Sequence, residues 1–302
     1  MIESASFTAD SAGRLDLAVL RAFPSVSRRI VREAPPGSIL VDGRPAGKGM
    51  KLRGGEKVEI VSLPETCDTR IEPDRSVPLP ETVYEDDALL AFNKPAGMPV
   101  QPVRRGETGT LMNAVAARWP ETAEVGDDPL TGGAVHRIDI DTSGLVIVAR
   151  TQKAWENLRA AFKAHEVEKT YLALVEGSIA VGGRIEGDLA GVRGADRRKM
   201  CDARRYPDEK HPMHAVTEYR PVGLRPHGRL ERTLLEVKIR TGVTHQIRCQ
   251  LAMAGMHILN DTLYGAFPEP GMTGHALHAL SAEFNHPVSG GRMLLRAECP
   301  WA

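Results

Sequence analysis

The chain has 302 residues, with 39 Lys+Arg against 39 Asp+Glu, so its net charge is zero and gives no general attraction to nucleic acid or to an anionic membrane. That length accommodates one large domain plus a small one. No apolar run is long enough to cross a bilayer, and Met1-Ile2-Glu3-Ser4 lacks the basic and apolar regions of a secretion signal. Cys67, Cys201, Cys249 and Cys299 form no C-x-x-C pair, so a cytoplasmic protein with reduced thiols is expected.

Residues 1–62 read as a separate small α/β module. Gly13-Arg14-Leu15-Asp16 opens a helical pattern with Leu15, Val19, Leu20 and Phe23 on one face. Arg28-Arg29-Ile30-Val31-Arg32 predicts a second short helix with clustered cations, broken at Pro35-Pro36. Residues 39–41 predict a strand running into an Asp42-Gly43 turn, and 57–61 alternate as a closing strand. Pro64, Pro73, Pro78 and Pro80 among charged residues make 63–80 a semi-rigid linker, with the large domain over 81–302.

In the large domain, 89–92 predict a strand, Lys94-Pro95-Ala96-Gly97 a turn, and 110–118 a helix with Leu111, Ala114 and Val115 on one side. An amphipathic helix is predicted over 151–166, with Thr151 as N-cap and Trp155, Leu158 and Phe162 on its apolar face. A strand over 169–175 follows. Residues 193–199, Arg-Gly-Ala-Asp-Arg-Arg-Lys, are the densest basic stretch, suited either to a solvated loop or to phosphate contacts along an RNA stem. Residues 216–222, 233–240 and 277–284 read as strands, and 244–254 as a helix with Arg248 one turn after Thr244. Cys201, His211 and His214 match no zinc spacing, and the chain has no phosphate-binding glycine loop and no nucleophile elbow, so neither metal nor cofactor is expected.

The chain is organised around His136-Arg137-Ile138-Asp139-Ile140-Asp141-Thr142-Ser143-Gly144, which runs into the apolar Leu145-Val146-Ile147-Val148-Ala149. A polar segment at the mouth of a buried strand can present side chains to a substrate, or can simply be a capped turn with an ion pair. The block resembles the H-R-[IL]-D-x-x-T-S-G signature of the RluA-type RNA pseudouridine synthases. Residues 241–248, Thr-Gly-Val-Thr-His-Gln-Ile-Arg, resemble that family's T-G-R-T-H-Q-I-R, and Asn93-Lys94-Pro95-Ala96-Gly97 its N-K-P-x-G. The three motifs stand in the family's order, over roughly residues 80–300.

That resemblance implies an α+β fold, with a mixed, mainly antiparallel sheet flanked by helices around a central cleft. It implies cofactor-free isomerisation of uridine to pseudouridine in structured RNA. Asp139 corresponds to the essential carboxylate, as nucleophile or as base, and Arg248 to the arginine that pairs with it. Tyr171, in Lys169-Thr170-Tyr171, corresponds to the residue that stacks on the target base, against the plainer reading of a half-buried core tyrosine. Arg137 matches an arginine that fills the gap left by the flipped base, or forms an ion pair with Asp141. Lys94 takes a structural or RNA-facing role, and Arg197, Arg198 and Lys199 contact RNA. Residues 1–62 resemble an alpha-L RNA-binding domain of the ribosomal-protein type, which would make Arg28, Arg29 and Arg32 phosphate contacts. The implied substrate is large-subunit ribosomal RNA, then transfer RNA, bound by a monomer. Val243 replaces the family's arginine, and Cys249-Gln250 its Val-His. Two rivals remain: a catalytically silent RNA-binding assembly factor, and a hydrolase using Ser143, for which no paired histidine is evident.

Overall fold

A computed structural model describes residues 2–23, 26, 30–31, 34–46, 49–63, 71–104, 106–193, 198–205, 212–224 and 231–301. The chain divides into two units, Met1–Thr69 and Arg70–Ala302.

The first unit carries β1 (Ile2–Thr8), β2 (Gly13–Arg14), α1 (Leu15–Ala22), β3 (Ile39–Val41), β4 (Arg44–Pro45), β5 (Lys51–Leu52) and β6 (Lys57–Leu63). Alternation along β6 buries Val58 and Ile60, which share one cluster with Leu63 at the strand's end and with Leu15 and Val19 of α1. Four strands form an antiparallel sheet in the order β1-β6-β3-β4, and β2 pairs with β5. The leading strand β1 departs from the expected helix-first order. Glu3-Ser4-Ala5-Ser6 shows no apolar alternation, and the strand exists because β6 offers it a partner edge from Ile2↔Leu63 to Thr8↔Lys57. Arg28, Arg29 and Arg32 lie outside the described residues.

In the second unit come β7 (Glu81–Glu85), β8 (Leu89–Lys94), α2 (Leu111–Arg118), β9 (Ser143–Ala149), α3 (Gln152–Lys163), β10 (Glu168–Glu176), β11 (Gly183–Arg193) and β12 (Arg198–Asp202). They are followed by β13 (Met213–Leu224), β14 (Arg232–Ile239), α4 (Gln246–Met253), β15 (Leu277–Asn285) and β16 (Arg292–Arg296). One mixed sheet has the order β12-β11-β13-β14-β10-β15-β9-β8-β7, with β16 on β15, and every pairing is antiparallel except β9 with β15. This is the expected α+β architecture. All seven residues of β9 are buried, which accounts for the unbroken apolar run after the signature block.

Gly144 sits where β9 runs parallel to β15, in register with Ala279 and at φ +109, and a Cβ there would overlap the Ala279 carbonyl oxygen. Only glycine fits this close approach.

Three expectations shift in detail. The linker over 63–80 is shorter: Ile71 is buried in the core of the large unit, Asp74 N–H donates to the Asn113 carbonyl, and the Asn113 amide donates to the Glu72 carbonyl. The helix predicted over 151–166 ends at Lys163, with His165 in the left-handed region at φ 59. The helix predicted from Thr244 begins at Gln246, because His245 is also left-handed, so Thr244 and Arg248 do not share a helical face.

Candidate active site

The 93–97 and 136–144 motifs meet in the pairing of β8 with β9, where Lys94 is opposite Gly144, and the 241–248 motif joins them through the bond of Arg248 to Asp139. Lys94 is fully buried, and its Nζ donates to the carbonyls of Pro95, Met98 and Ile140 at 2.9, 2.8 and 3.0 Å. Gly97 N–H donates to the same Ile140 carbonyl at 2.9 Å. All three ammonium hydrogens are used inside the protein, so Lys94 does not face RNA. It clamps the loop that carries Asp139, and the structural role is the one the geometry supports. Burial lowers its pKa to about 8 against the opposing fields of Asp141 and Asp139, leaving it a cation at neutral pH.

The far end of that loop is tied to the 275–278 segment. Thr142 Oγ1 lies 2.8 Å from His275 Nε2, and Ser143 Oγ lies 2.9 Å from His278 Nδ1. Ser143 therefore does have a paired histidine, contrary to the expectation from sequence. Both groups are buried, and His278 Nε2 lies 3.2 Å from the Ala297 carbonyl rather than a carboxylate. That arrangement ties β9 to β15 and lacks the charged orienting group of a hydrolase triad.

Asp139 is thus held from both sides, with its side chain one-quarter exposed. Arg248 Nη1 donates to its Oδ2 at 2.8 Å, across a sequence separation of 109 residues. The remaining edge of the guanidinium is bidentate to Asp261, with Nε to Oδ2 at 2.7 Å and Nη2 to Oδ1 at 2.8 Å. Burial works against the charge on Arg248, but the hydrogen bonds and field of Asp261, followed by those of Asp139, outweigh it and raise its pKa. Asp261 is 2% exposed and belongs to none of the three motifs, so spacing did not reveal it. Asp139 Oδ1 has no hydrogen bond among the described residues.

Tyr171 and Lys169 are two apart on β10 and so share a face, next to a bulge against β15 between Thr170 and Tyr171. Burial, with the Asp139 charge adding to it, raises the Tyr171 pKa and keeps the phenol protonated. Lys169 donates to the Thr241 carbonyl at 2.8 Å, and burial lowers its pKa to about 8. His136 accepts the Ile147 N–H on Nε2 at 3.0 Å and stacks on Phe162 with ring centroids 4.9 Å apart. Burial, with Lys169 and Arg159 adding to it, pushes its pKa down to about 3, so the imidazole is neutral. Lys169 and His136 both stand within the quoted motifs, but the contacts that hold them became visible only in the fold.

These groups line one open cleft of about 900 Å³, at whose wall stand Arg137, Asp139, Tyr171, Lys169, His245 and Arg248. Its volume lies within the usual range of about 300–1,000 Å³ for ligand sites. Arg137 is exposed and makes no ion pair with Asp141 among the described residues. Lys199 on β12 has its Nζ 5.0 Å from the Tyr264 ring centroid. Arg197 and the side chain of Arg198 lie outside the described residues. Val243 packs with Leu189, Met200, Ala215, Cys249 and Tyr264, so this wall is apolar where the resemblance would place a cation. The Cys249 thiol donates to the Met200 carbonyl at 3.2 Å, and burial pushes its pKa up to about 12. His214 lies between Glu186 and Asp188, and His211 falls outside the described residues.

Residues 88–253, more than half of the chain, match the family model described as RNA pseudouridylate synthase. The chain belongs to the RNA pseudouridylate synthase family. Among its relatives, ribosomal large subunit pseudouridine synthase D of Xanthomonas campestris pv. campestris is 38% identical, over 95% of this chain and 86% of its own. The enzyme of the same name from Yersinia pestis is 34% identical over 95% and 87%. The solved structure of human RNA pseudouridylate synthase domain containing 1 shares the fold, with a TM-score of 0.60 at 23% identity over 76% of this chain and 87% of its own.

Proposed function

We propose that this protein isomerises specific uridines of large-subunit ribosomal RNA to pseudouridine. The observation that carries the reading is the Asp139–Arg248 pair at the wall of an open cleft shared with Tyr171. The relatives' names, which specify the large ribosomal subunit, support the substrate. The rival of a silent RNA-binding factor gives no reason to hold a charged carboxylate and its arginine in this geometry.

The target nucleotide leaves its stack at a cost of about a few kcal/mol, and the exposed Arg137 takes its place. Asp139 acts at the ribose, as nucleophile or as base, while the bond from C1′ to N1 breaks. The uracil turns in the cleft against Tyr171, and C1′ bonds to C5 as Asp139 either leaves C1′, where it acted as nucleophile, or returns the ribose proton, where it acted as base. The C5 proton then leaves and N1 gains one, so atoms and charge balance without a cofactor. A phenol with a raised pKa is a poor base, so Tyr171 serves as the stacking wall. Arg248 holds Oδ2 of Asp139, which leaves Oδ1 for the sugar.

Mapping pseudouridines in total RNA from cells with and without the gene tests this. Loss of specific sites in large-subunit ribosomal RNA is expected. Loss confined to transfer RNA would reassign the substrate, and no loss anywhere would overturn the reading.

Residues 1–62 serve, in this proposal, as an RNA-binding unit whose Arg28, Arg29 and Arg32 contact phosphates. A fragment beginning at Arg70 keeps Ile71 in its core and retains the whole cleft. It should bind RNA more weakly, and its log K against log salt slope should be shallower by about 2–3 for three lost phosphate contacts. An unchanged slope would exclude the first unit from the RNA backbone.

A further inference from the structure

His245 precedes α4 at φ 53, a left-handed region that non-glycine residues adopt only when the surroundings hold them there. The next residue, Gln246, is anchored by its side chain, which accepts from Thr241 Oγ1 at 2.9 Å and donates to the Val216 carbonyl at 2.9 Å. In this position the His245 ring lies between two polar partners. Its Nδ1 is 3.0 Å from Tyr264 Oη, and its Nε2 is 3.7 Å from Asp139 Oδ2.

The partners of the Tyr264 hydroxyl favour one His245 tautomer. Tyr264 Oη accepts the Met200 N–H at 2.9 Å, which occupies one lone pair. The hydroxyl has a single hydrogen, and among the described residues its acceptor in reach is His245 Nδ1. The ring hydrogen is then on Nε2, on the side of Asp139. Burial lowers the His245 pKa and raises that of Tyr264, so imidazole and phenol are both neutral. Tyr264 is itself flanked by cations, with the Arg248 guanidinium 5.2 Å and Lys199 Nζ 5.0 Å from its ring centroid.

We infer that Tyr264 and His245 form a positioning relay for Asp139, in which the Tyr264 hydroxyl fixes the His245 tautomer so that Nε2–H faces Asp139 Oδ2. With Arg248 Nη1 it confines that oxygen and leaves Oδ1 for the substrate. The 3.7 Å separation closes to hydrogen-bond length, about 2.7–3.2 Å, when RNA fills the cleft. The inference rests on the reading of Asp139 as the acting carboxylate. Both residues act through that carboxylate and are positioning residues.

Three measurements test it. Nitrogen-15 NMR of histidine-labelled protein, with the His245 signal assigned by its absence in H245Q, should show the proton on Nε2. Tyr264→Phe, which removes only the hydroxyl, should lower kcat about tenfold with KM for RNA within about twofold, and should mix the His245 tautomers. Finally, His245→Gln carries an amide nitrogen to the Nε2 position, whereas His245→Asn stops at Nδ1, so kcat should be about fivefold or more higher in the Gln variant. A wild-type His245 with its proton on Nδ1, a wild-type kcat in Tyr264→Phe, or equal rates in the Gln and Asn variants would each overturn the relay. Should Tyr264→Phe not fold, the wild-type spectrum and the Gln/Asn pair still decide. A wild-type protein that forms no pseudouridine, yet carries the Nε2 proton, would uphold the tautomer and overturn the functional reading instead.

Discussion

Asp139→Asn is expected to lower kcat by at least about 10³-fold while leaving fold and RNA affinity nearly intact. Asparagine matches the aspartate in volume and shape but supplies neither a nucleophilic carboxylate nor a base. Structural loss should be small because Arg248 does not depend on Asp139 alone. Two of its nitrogens remain bound to Asp261, and Asp139 is already one-quarter exposed to water. The loop is held by Lys94 and Gly97 on the Ile140 carbonyl, neither of which touches the Asp139 side chain. The check is tritium release from [5-³H]uridine-labelled ribosomal RNA under single-turnover conditions, alongside filter binding and thermal denaturation. Turnover near the wild-type rate would remove Asp139 from the chemistry. A lost rate accompanied by lost affinity or a collapsed fold would show that the carboxylate is structural.

The parts of the site legible in the sequence were those in which residue type and motif position carry the information together. Asp139, Arg248 and Tyr171 were of this kind, and the structure brings all three to one cleft although Asp139 and Arg248 are 109 residues apart. Lys94 was not, because a lysine in a turn reads the same whether it is exposed or fully buried with three carbonyl partners. Its role follows from the β8–β9 register, which is a tertiary property. Asp261 was invisible for a related reason: one acidic residue in a loop has many uses, and only burial beside a guanidinium defines this one. The pairing of Ser143 with His278 depends on the parallel crossing of β9 and β15 at Gly144, where strands distant in sequence meet. Strand β1 escaped for want of alternation, since β6 supplies its order. The large-domain strands and helices were legible because their apolar periodicity records which face is buried. Their ends were less so, as at His245, where a left-handed residue delays α4 from 244 to 246, which composition does not show.

Arg248→Ala should cost about 3–5 kcal/mol of stability, and the deficit should sit on Asp261 rather than on Asp139. A view from sequence alone pairs Arg248 only with Asp139 and expects Asp139→Asn to restore part of what Arg248→Ala loses. The structure redirects that expectation. Asp261 is 2% exposed, and among the described residues both of its carboxylate oxygens have Arg248 as their hydrogen-bond donor. Removing the guanidinium strands a buried anion. Asp139, one-quarter exposed, is solvated by the cleft when its partner is lost. In a denaturant-melt double-mutant cycle, adding Asp261→Asn to Arg248→Ala should therefore recover about 1–2 kcal/mol, because the stranded charge is gone even though a buried amide remains. Adding Asp139→Asn should recover less than about 0.5 kcal/mol. Activity should divide differently. Asp261→Asn alone keeps the Arg248–Asp139 bond but loosens the fork that aims it, so kcat should fall about 10–100-fold, far less than in Asp139→Asn. Equal recovery from the two aspartate substitutions would contradict this division. So would a stability loss in Arg248→Ala that Asp261→Asn leaves unchanged, since the buried carboxylate would then have found another partner.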